Sequence, residues 1–461
     1  MKKYFMFAVV AAAGMLASCS SESLTGSDPE IKTPAQEELV AIQIGVATPQ
    51  VDLSTKAGTR GAGTVGDLSS GTNIWKGEKV NVYMFEKGTL TLAEDGTGNK
   101  LYNNVELTTP KPGVAGIAAE GVASGVANEL NPAGNRVTYK YYPVTGNFDF
   151  WGYYIDDAGN GDPAIGEKEV TVPFTIDGSQ DLMVAKAEPS AAEIALLDAQ
   201  RNTDYYSAYA ARKTVQPNMT FKHLLTRLTF SVVGGNNEAI GFKDGGSGYA
   251  LPADGNTYEG VFIRSIRIRS LKSGNIIAAW IPDGSVTTGA PAELISFTKS
   301  NPAAAADSTW MELKSKDRNG ETGKVTDLYD NSFVWATDAT IQGKLVIGGA
   351  DWDKIQRPKS LTEPVTVGGS LLVAPDDKYV AEIVLGQILV TEEDFPGGGQ
   401  PTTKVVYSPL ITEINPTSPD VTFEQGKSYN VKMKLYGAQR IVITTTLQAW
   451  ESGTEVEINA D

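Results

Sequence analysis

The sequence predicts a mostly β protein, and three observations carry this prediction. Glycine and proline are abundant, with 48 and 23 copies among 461 residues. Apolar side chains alternate with a period of two over many short segments, as in strands that bury one face. Long runs of helix-forming residues are few, so strands and turns dominate. A hydrophobic content of 41% is sufficient for large cores.

The N-terminus predicts export and lipid attachment. Residues 1–18 form a signal peptide, because Lys2 and Lys3 precede an apolar stretch that is too short to span a bilayer. Leu16-Ala17-Ser18-Cys19 is similar to a bacterial lipobox, which predicts cleavage before Cys19 and attachment of lipid, such as palmitate, to that residue. The alternative is an ordinary signal peptide that contains a cysteine. Since Cys19 is the only cysteine, the exported chain is predicted to lack internal disulfides.

A flexible connection and a strand are predicted to follow Cys19. Residues 19–38 are polar and lack an apolar period, as expected of a tether. The next stretch, 39–46, is predicted to be the first strand. Its buried face consists of Val40, Ile42, Ile44 and Val46.

A long glycine-rich loop is predicted at 53–74, and it contains the sequence KAGTRGAG at 56–63. Arg60 lies in this run, and a glycine-rich loop can adopt the extended conformation that a trypsin-like protease binds in its cleft. The alternative for Arg60 is an ordinary solvated loop charge. Lys56 lies close by and would suit a lysine-specific enzyme.

Two domains are predicted, at 39–218 and 219–461. In the first, the aromatic segment 136–155 predicts a hairpin. A helix is predicted within 189–201, with Ser190 as its N-cap and Glu193 completing a capping box. The segment 221–233 is predicted to be the strand that opens the second domain.

The C-terminus has the most regular pattern. Segment 427–437 alternates apolar and polar residues, and segments 440–450 and 454–459 follow it. Terminal strands are therefore predicted over 427–459, as a hairpin and a last strand.

Composition and motifs argue against several functions. A net charge of −16 provides no basic field for nucleic acid. His223 is the only histidine, and it is predicted to lie at the surface or at its boundary, facing away from Leu224 and Leu228. The sequence contains neither a G-x-S-x-G element nor a phosphate-binding loop. The prediction is a protein without catalytic residues, metal or cofactor.

An ordered series of short patterns resembles the fimbrillin family, the type V pilins of Bacteroidales. The patterns are the lipobox, YYPVTGNFDFWGYY, DLMVA at 181–185, FKHLLTRLTFSV, GKSYNVKMKLYG and TTTLQAW. The resemblance covers nearly the whole mature chain. It implies two tandem transthyretin-like β-sandwich domains with few short helices, and export as a lipoprotein to the outer membrane.

The resemblance also implies a mechanism of assembly into an extracellular pilus that supports adhesion. In polymerising members an arginine-specific protease cuts beyond the first strand, the strand leaves, and a strand of another subunit replaces it. Here the cut would fall after Arg60, before Gly61, and would release Val40, Ile42, Ile44 and Val46. The donor would lie within 440–459. Its apolar residues are Ile441, Ile443, Leu447, Val456 and Ile458.

The implied partners are copies of the same chain, accessory fimbrial subunits, the protease, the outer membrane through the lipid, and a host protein or glycan. An anchor or tip adhesin is an alternative within the family. From another class, a monomeric glycan-binding surface lipoprotein would stack sugars on exposed aromatic residues. The candidates for that stacking are Trp151, Trp280, Trp335 and Trp352.

Overall fold

The structure is a computed structural model of the chain. It describes residues 39–50, 78–109, 121–122, 140–156, 161–236, 239–240, 260–281, 293–298, 308–318, 325–327, 333–335, 345–347, 356–391, 402–416, 422–437 and 440–448. All of these belong to one compact unit that begins at Leu39. The signal peptide 1–18, the tether 19–38, the loop 53–74 and the strand 454–459 lie outside the described residues and remain predictions.

The described chain is built mainly of strands. In chain order they are β1 (Gly45–Gln50), β2 (Lys79–Glu86), β3 (Val105–Thr108), β4 (Gly121–Val122), β5 (Phe148–Ile155), β6 (Ala164–Ile165), β7 (Glu169–Thr175), β8 (Leu182–Lys186), β9 (Asn218–His223), β10 (Thr226–Gly234), β11 (Gly260–Leu271), β12 (Ser273–Trp280), β13 (Ile295–Phe297), β14 (Ser308–Glu312), β15 (Lys314–Arg318), β16 (Val325–Asp327), β17 (Phe333–Trp335), β18 (Leu345–Ile347), β19 (Val365–Val373), β20 (Tyr379–Thr391), β21 (Thr402–Ile414), β22 (Ser428–Gly437) and β23 (Arg440–Gln448). The helices are α1 (Ala191–Ile194), α2 (Ala208–Arg212) and a 3-10 turn at Ala199–Arg201. The predicted mostly β class with few short helices is confirmed.

Four larger sheets organise these strands into stacked β layers. Sheet A has the order β3-β2-β5-β8-β9-β1-β4, and sheet B has the order β13-β12-β7-β6. Sheet C runs β19-β10-β22-β23, and sheet D runs β14-β11-β20-β21. Two further pairs, β15–β16 and β17–β18, are separate.

Strands β2, β5 and β8 of sheet A are covered on both faces. On one face Phe150 and Tyr154 of β5 join a cluster that we call the N-terminal core, together with side chains from the segments around Tyr102 and Tyr206. On the other face Trp151 and Tyr153 join the central core, which sheets B, C and D share. The sequence of β5 is therefore apolar at almost every position rather than at every second one.

Sheet B joins strands from both sides of the predicted domain boundary at 218/219. Strand β7 pairs with β12 from Ser273↔Thr175 to Trp280↔Glu169, and β12 pairs with β13. Strands β12 and β13 thus complete a sheet that begins with β6. The domain division at 218/219 stays a prediction, but strand pairings cross it, because β7 pairs with β12 and β9 pairs with both β1 and β8.

The predicted helix within 189–201 begins as expected and ends much earlier. Ser190 caps α1, and its hydroxyl and the Glu193 carboxylate make the reciprocal bonds of a capping box. The helix has only four residues and buries none of them. Without an apolar face to pack, propensity alone does not sustain a longer helix. The second helix, α2, was not predicted.

The C-terminal hairpin is confirmed for its two described strands. Strands β22 and β23 pair antiparallel from Ser428↔Gln448 to Gly437↔Arg440. Alternate residues of β22 are buried in the central core: Tyr429, Val431, Met433 and Leu435. On β23, Ile441, Ile443 and Leu447 are partly buried against the same core. Val456 and Ile458 lie outside the described residues.

Candidate functional site

The segment at 40–47 occupies a slot in sheet A between two other parts of the chain. The predicted strand 39–46 is displaced in its boundaries, since β1 begins at Gly45 and continues to Gln50. Upstream, Ala41 forms an isolated bridge with Tyr141. The chain is therefore extended through this slot with regular pairing only at its second half.

Backbone hydrogen bonds hold both edges of the segment. On one edge the Ile42 N–H donates to the Lys140 carbonyl at 2.9 Å, and the Val40 carbonyl accepts from the Tyr142 N–H at 2.9 Å. Strand β4 continues this edge, because Gly45 pairs with Val122 and Val46 with Gly121. On the other edge β1 runs parallel to β9, with Gly45 opposite Asn218.

The inward side chains of the segment are fully buried. Ile42 and Ile44 are 0% exposed and Val46 is 1% exposed, all within the N-terminal core. Val40 packs against this core in part, whereas Gln43 is exposed. The predicted alternation of the face is confirmed. Its role as a removable strand is a proposal taken up below.

Lys140 and Tyr142, whose backbone groups bond to one edge of the segment, both have shifted pKa values. Burial, and then the neighbouring Tyr206 and Tyr102, raise the pKa of Tyr142 well above its usual value. Tyr142 therefore remains a neutral hydroxyl donor. Burial lowers the pKa of Lys140, whose ammonium lies 4.5 Å from the ring centre of Tyr102.

One polar side chain contacts the backbone of the segment directly, and the sequence pattern did not single it out. The Gln216 carboxamide accepts a hydrogen bond from the Gln43 N–H and donates one to the Ala41 carbonyl, both at 3.2 Å. Gln216 lies between α2 and β9, in a stretch without apolar period. The only available signal was its position beside Pro217, a few residues before the predicted strand 221–233.

His223 is buried, so the prediction of a surface or boundary position is wrong. It is 2% exposed, and its Nδ1 lies 2.7 Å from Oδ2 of Asp181. The predicted strand 221–233 is two strands, since β9 ends at His223 and β10 begins at Thr226, so His223 and Leu224 do not alternate across one strand. Within β9, His223 lies on the buried face. Met219 and Phe221 precede His223 at two-residue spacing and are also buried, and this spacing was a usable signal.

The tryptophans do not form an exposed row for sugar stacking within the described residues. Trp151 is 1% exposed, and its ring centre lies 4.2 Å from that of Trp280, which is half-buried against the central core. Trp151, a stacking candidate only under the glycan-binding alternative, is thus unable to stack on a sugar, because both faces of β5 are covered. Trp352 lies outside the described residues, and only the backbone of Trp335 is described.

The described residues contain neither a candidate metal-binding cluster nor a candidate membrane-spanning helix. No group of three or more His, Cys, Asp or Glu side chains there is arranged to hold a metal ion. In the same residues no helix combines the length and apolar character needed to cross a membrane. Cys19, Arg60 and Gly61 lie outside them, so the structure does not test the predicted lipidation and cleavage.

The sequence matches a known family over most of its length. The profile described as fimbrillin-like matches residues 64–337, which is more than half of the chain. The chain belongs to the fimbrillin-like family. Membership in this family supports a fimbrial or adhesion-related role for the protein, at the cell surface or in an extracellular pilus, in assembly with other fimbrial subunits.

Solved structures resemble this fimbrillin-like chain only distantly. A candidate cell adhesion protein from Bacteroides ovatus is 13% identical, with 92% of this chain and 99% of that chain covered and a TM-score of 0.35. The fimbrial anchor protein Mfa2 from Porphyromonas gingivalis is 12% identical, with coverages of 89% and 98% and a TM-score of 0.30. No curated protein matches the sequence. The family assignment rests on the sequence profile.

Proposed function

We propose that this fimbrillin-like protein is the structural subunit of a type V pilus that supports adhesion. The precursor is a lipoprotein anchored in the outer membrane through Cys19. An arginine-specific protease cuts after Arg60, the segment that carries Val40, Ile42, Ile44 and Val46 leaves, and a strand from the 440–459 region of another copy fills the slot. The pilus is then extracellular.

The observation that carries the proposal is the slot itself. Ile42, Ile44 and Val46 fill apolar positions, while backbone bonds on both edges hold the main chain. Removing the segment would leave these backbone groups unpaired and the apolar positions open, which is unfavourable unless another strand enters. Burial of three such side chains contributes about 5–9 kcal/mol before costs. In strand addition of this kind, main-chain hydrogen bonds provide the affinity and pockets for alternate side chains provide the specificity.

The position of Arg60 supports the same mechanism. The chain leaves the slot after Gln50 and reaches β2 at Lys79, and the glycine-rich segment with Arg60 connects them. A cut there separates the slot segment from the rest of the protein without breaking any described strand. The lipid on Cys19 would depart with the fragment.

The N-terminus of fibres sheared from cells tests the proposal. We expect it to be Gly61, with residues 19–60 absent by mass spectrometry. Arg60→Ala is expected to leave a folded precursor that does not polymerise, and Lys56→Ala serves as the matched control. Sheared fibres that still carry lipidated Cys19, or normal fibres from Arg60→Ala, would contradict the proposal.

An anchor or tip subunit is the alternative within the family. It predicts that the protein is found once per fibre or at one fibre end rather than along the shaft, which immunogold labelling distinguishes. A monomeric glycan-binding lipoprotein loses its support from Trp151, which is buried.

A further inference from the structure

The carboxamide of Gln216 forms three hydrogen bonds at the edge of the slot. Its Oε1 accepts from the Gln43 N–H at 3.2 Å and from the Tyr142 hydroxyl at 3.3 Å. Its Nε2 donates to the Ala41 carbonyl at 3.2 Å. Because both partners of Oε1 are donors, only one orientation of the amide satisfies all three bonds.

These bonds reproduce the pattern of a parallel β ladder. In such a ladder one residue bonds to the carbonyl of residue i and to the N–H of residue i+2 on the neighbouring strand. The carboxamide does this with Ala41 and Gln43. Two residues later the main chain takes over, since the Gly45 N–H donates to the Pro217 carbonyl at 2.8 Å and Gly45 pairs with Asn218.

Pro217 explains why a side chain is needed at this point. Proline has no N–H, so the main chain of β9 cannot continue the ladder toward the start of the segment. The Gln216 side chain extends the ladder past this gap. Burial keeps Tyr142, which is 2% exposed, as a neutral donor that orients the carboxamide.

The contacts of Gln216 with the segment involve only backbone atoms. The apolar positions of the slot discriminate among side chains, but a carbonyl and an N–H two residues apart are present in any extended strand. We infer that Gln216 is a positioning residue that anchors the backbone of whichever strand occupies the slot. Before cleavage this is the chain's own segment at 40–47, and after cleavage it is a strand of a second copy. The second half of this inference rests on the proposed function.

Gln216→Met tests the inference, because methionine keeps the length of the side chain and removes both polar atoms. Gln180→Met is the matched control, since the Gln180 carboxamide also accepts from a backbone N–H, that of Asp177 at 2.7 Å, away from the slot. Both are made in the full-length chain. The first readout is amide hydrogen exchange of Gln43 in the uncut protein, and the second is the assembly rate after cleavage with an arginine-specific protease.

Gln216→Met is expected to speed exchange at Gln43 about tenfold relative to the control, as loss of one to two hydrogen bonds implies. The urea midpoint of the two variants should agree, which separates this effect from general unfolding. Exchange at Gln43 that is equal in both variants would overturn the inference.

Assembly distinguishes the two halves of the inference. Slower assembly by Gln216→Met, about tenfold relative to Gln180→Met, supports a role toward the second copy. If the wild-type chain does not assemble after cleavage, the proposed function fails, while faster exchange at Gln43 still supports the role toward the chain's own segment. Equal assembly rates for both variants, with a polymerising wild type, would overturn the role toward the second copy.

Discussion

His223 and Asp181 form a buried polar pair, with Nδ1 of the histidine 2.7 Å from Oδ2 of the aspartate. Asp181 immediately precedes β8, and His223 is the last residue of β9. Both side chains are almost fully inaccessible, at 3% and 2% exposed. The pair joins β8 to β9, which is the strand that lines one edge of the slot.

Replacing His223 by leucine should destabilise the protein. The substitution leaves the buried Asp181 side chain without its closest partner, and leaving a buried polar group without its hydrogen bond typically costs about 1–3 kcal/mol. Urea denaturation measures the loss. The double variant with Asp181→Leu is expected to recover part of it, because no polar atom of the pair then remains buried.

The neighbouring exposed residue on the same strand provides the control. Lys222→Leu changes β9 at the surface and is expected to shift the free energy of unfolding by less than about 1 kcal/mol. If His223→Leu has an effect no larger than Lys222→Leu, the pair does not contribute to stability.

Ile44→Ala should weaken the seating of the slot segment. Ile44 is 0% exposed in the N-terminal core, and truncation of a buried isoleucine typically costs about 2–5 kcal/mol. In protein cut after Arg60, the fragment that ends there should dissociate faster, which size-exclusion chromatography coupled to mass spectrometry measures. Gln43→Ala keeps the backbone N–H and removes an exposed side chain, so its release rate should match the wild type. Equal rates for both variants would mean that the apolar positions do not retain the segment.

The sequence predicts features that follow from a local alternation of apolar side chains, but it does not specify which distant strands pair. The alternation at Val40, Ile42, Ile44 and Val46 follows from a strand with one buried face, and the structure confirms it for the inward side chains. The parallel pairing of β1 with β9 joins residues more than 170 positions apart. No local pattern specifies such a partner.

Polar residues of the site were the least predictable. Gln216 acts through a side-chain amide in an aperiodic stretch, and nothing in its neighbours indicates which backbone it meets. His223 is predicted to face solvent on the assumption that 221–233 is one strand whose buried face carries Leu224. The chain instead breaks between β9 and β10, and the one buried face of β9 carries Met219, Phe221 and His223.

Gly274→Ala should destabilise strands on both sides of residue 218. A Cβ at Gly274 would lie 2.0 Å from the Ser296 carbonyl oxygen, so β12 and β13 could not keep their pairing. Such overpacking typically costs about 1–3 kcal/mol. Because β12 also pairs with β7, amide hydrogen exchange at Val170 and Val172 should accelerate.

The exposed neighbour Asn275 is the control for that variant. Asn275→Ala is expected to leave exchange in β7 unchanged. If Gly274→Ala accelerates exchange only in β12 and β13, the two halves of the chain behave as separate folding units, in agreement with a boundary at 218/219.

A disulfide between β22 and β23 would decide which C-terminal strand is donated. Lys432 and Thr444 are directly opposite each other in this antiparallel pair, on the face away from Met433 and Ile443. The only natural cysteine is Cys19, which the proposed cleavage would remove, so Lys432→Cys with Thr444→Cys adds one defined crosslink. We expect the oxidised protein to assemble as fast as the reduced one.

Strand β23 pairs with β22 along its length and packs Ile441, Ile443 and Leu447 on the central core. Its withdrawal would open that core, whereas donation of the segment with Val456 and Ile458 would not. Assembly that stops on oxidation and resumes on reduction would instead identify β23 as the donor.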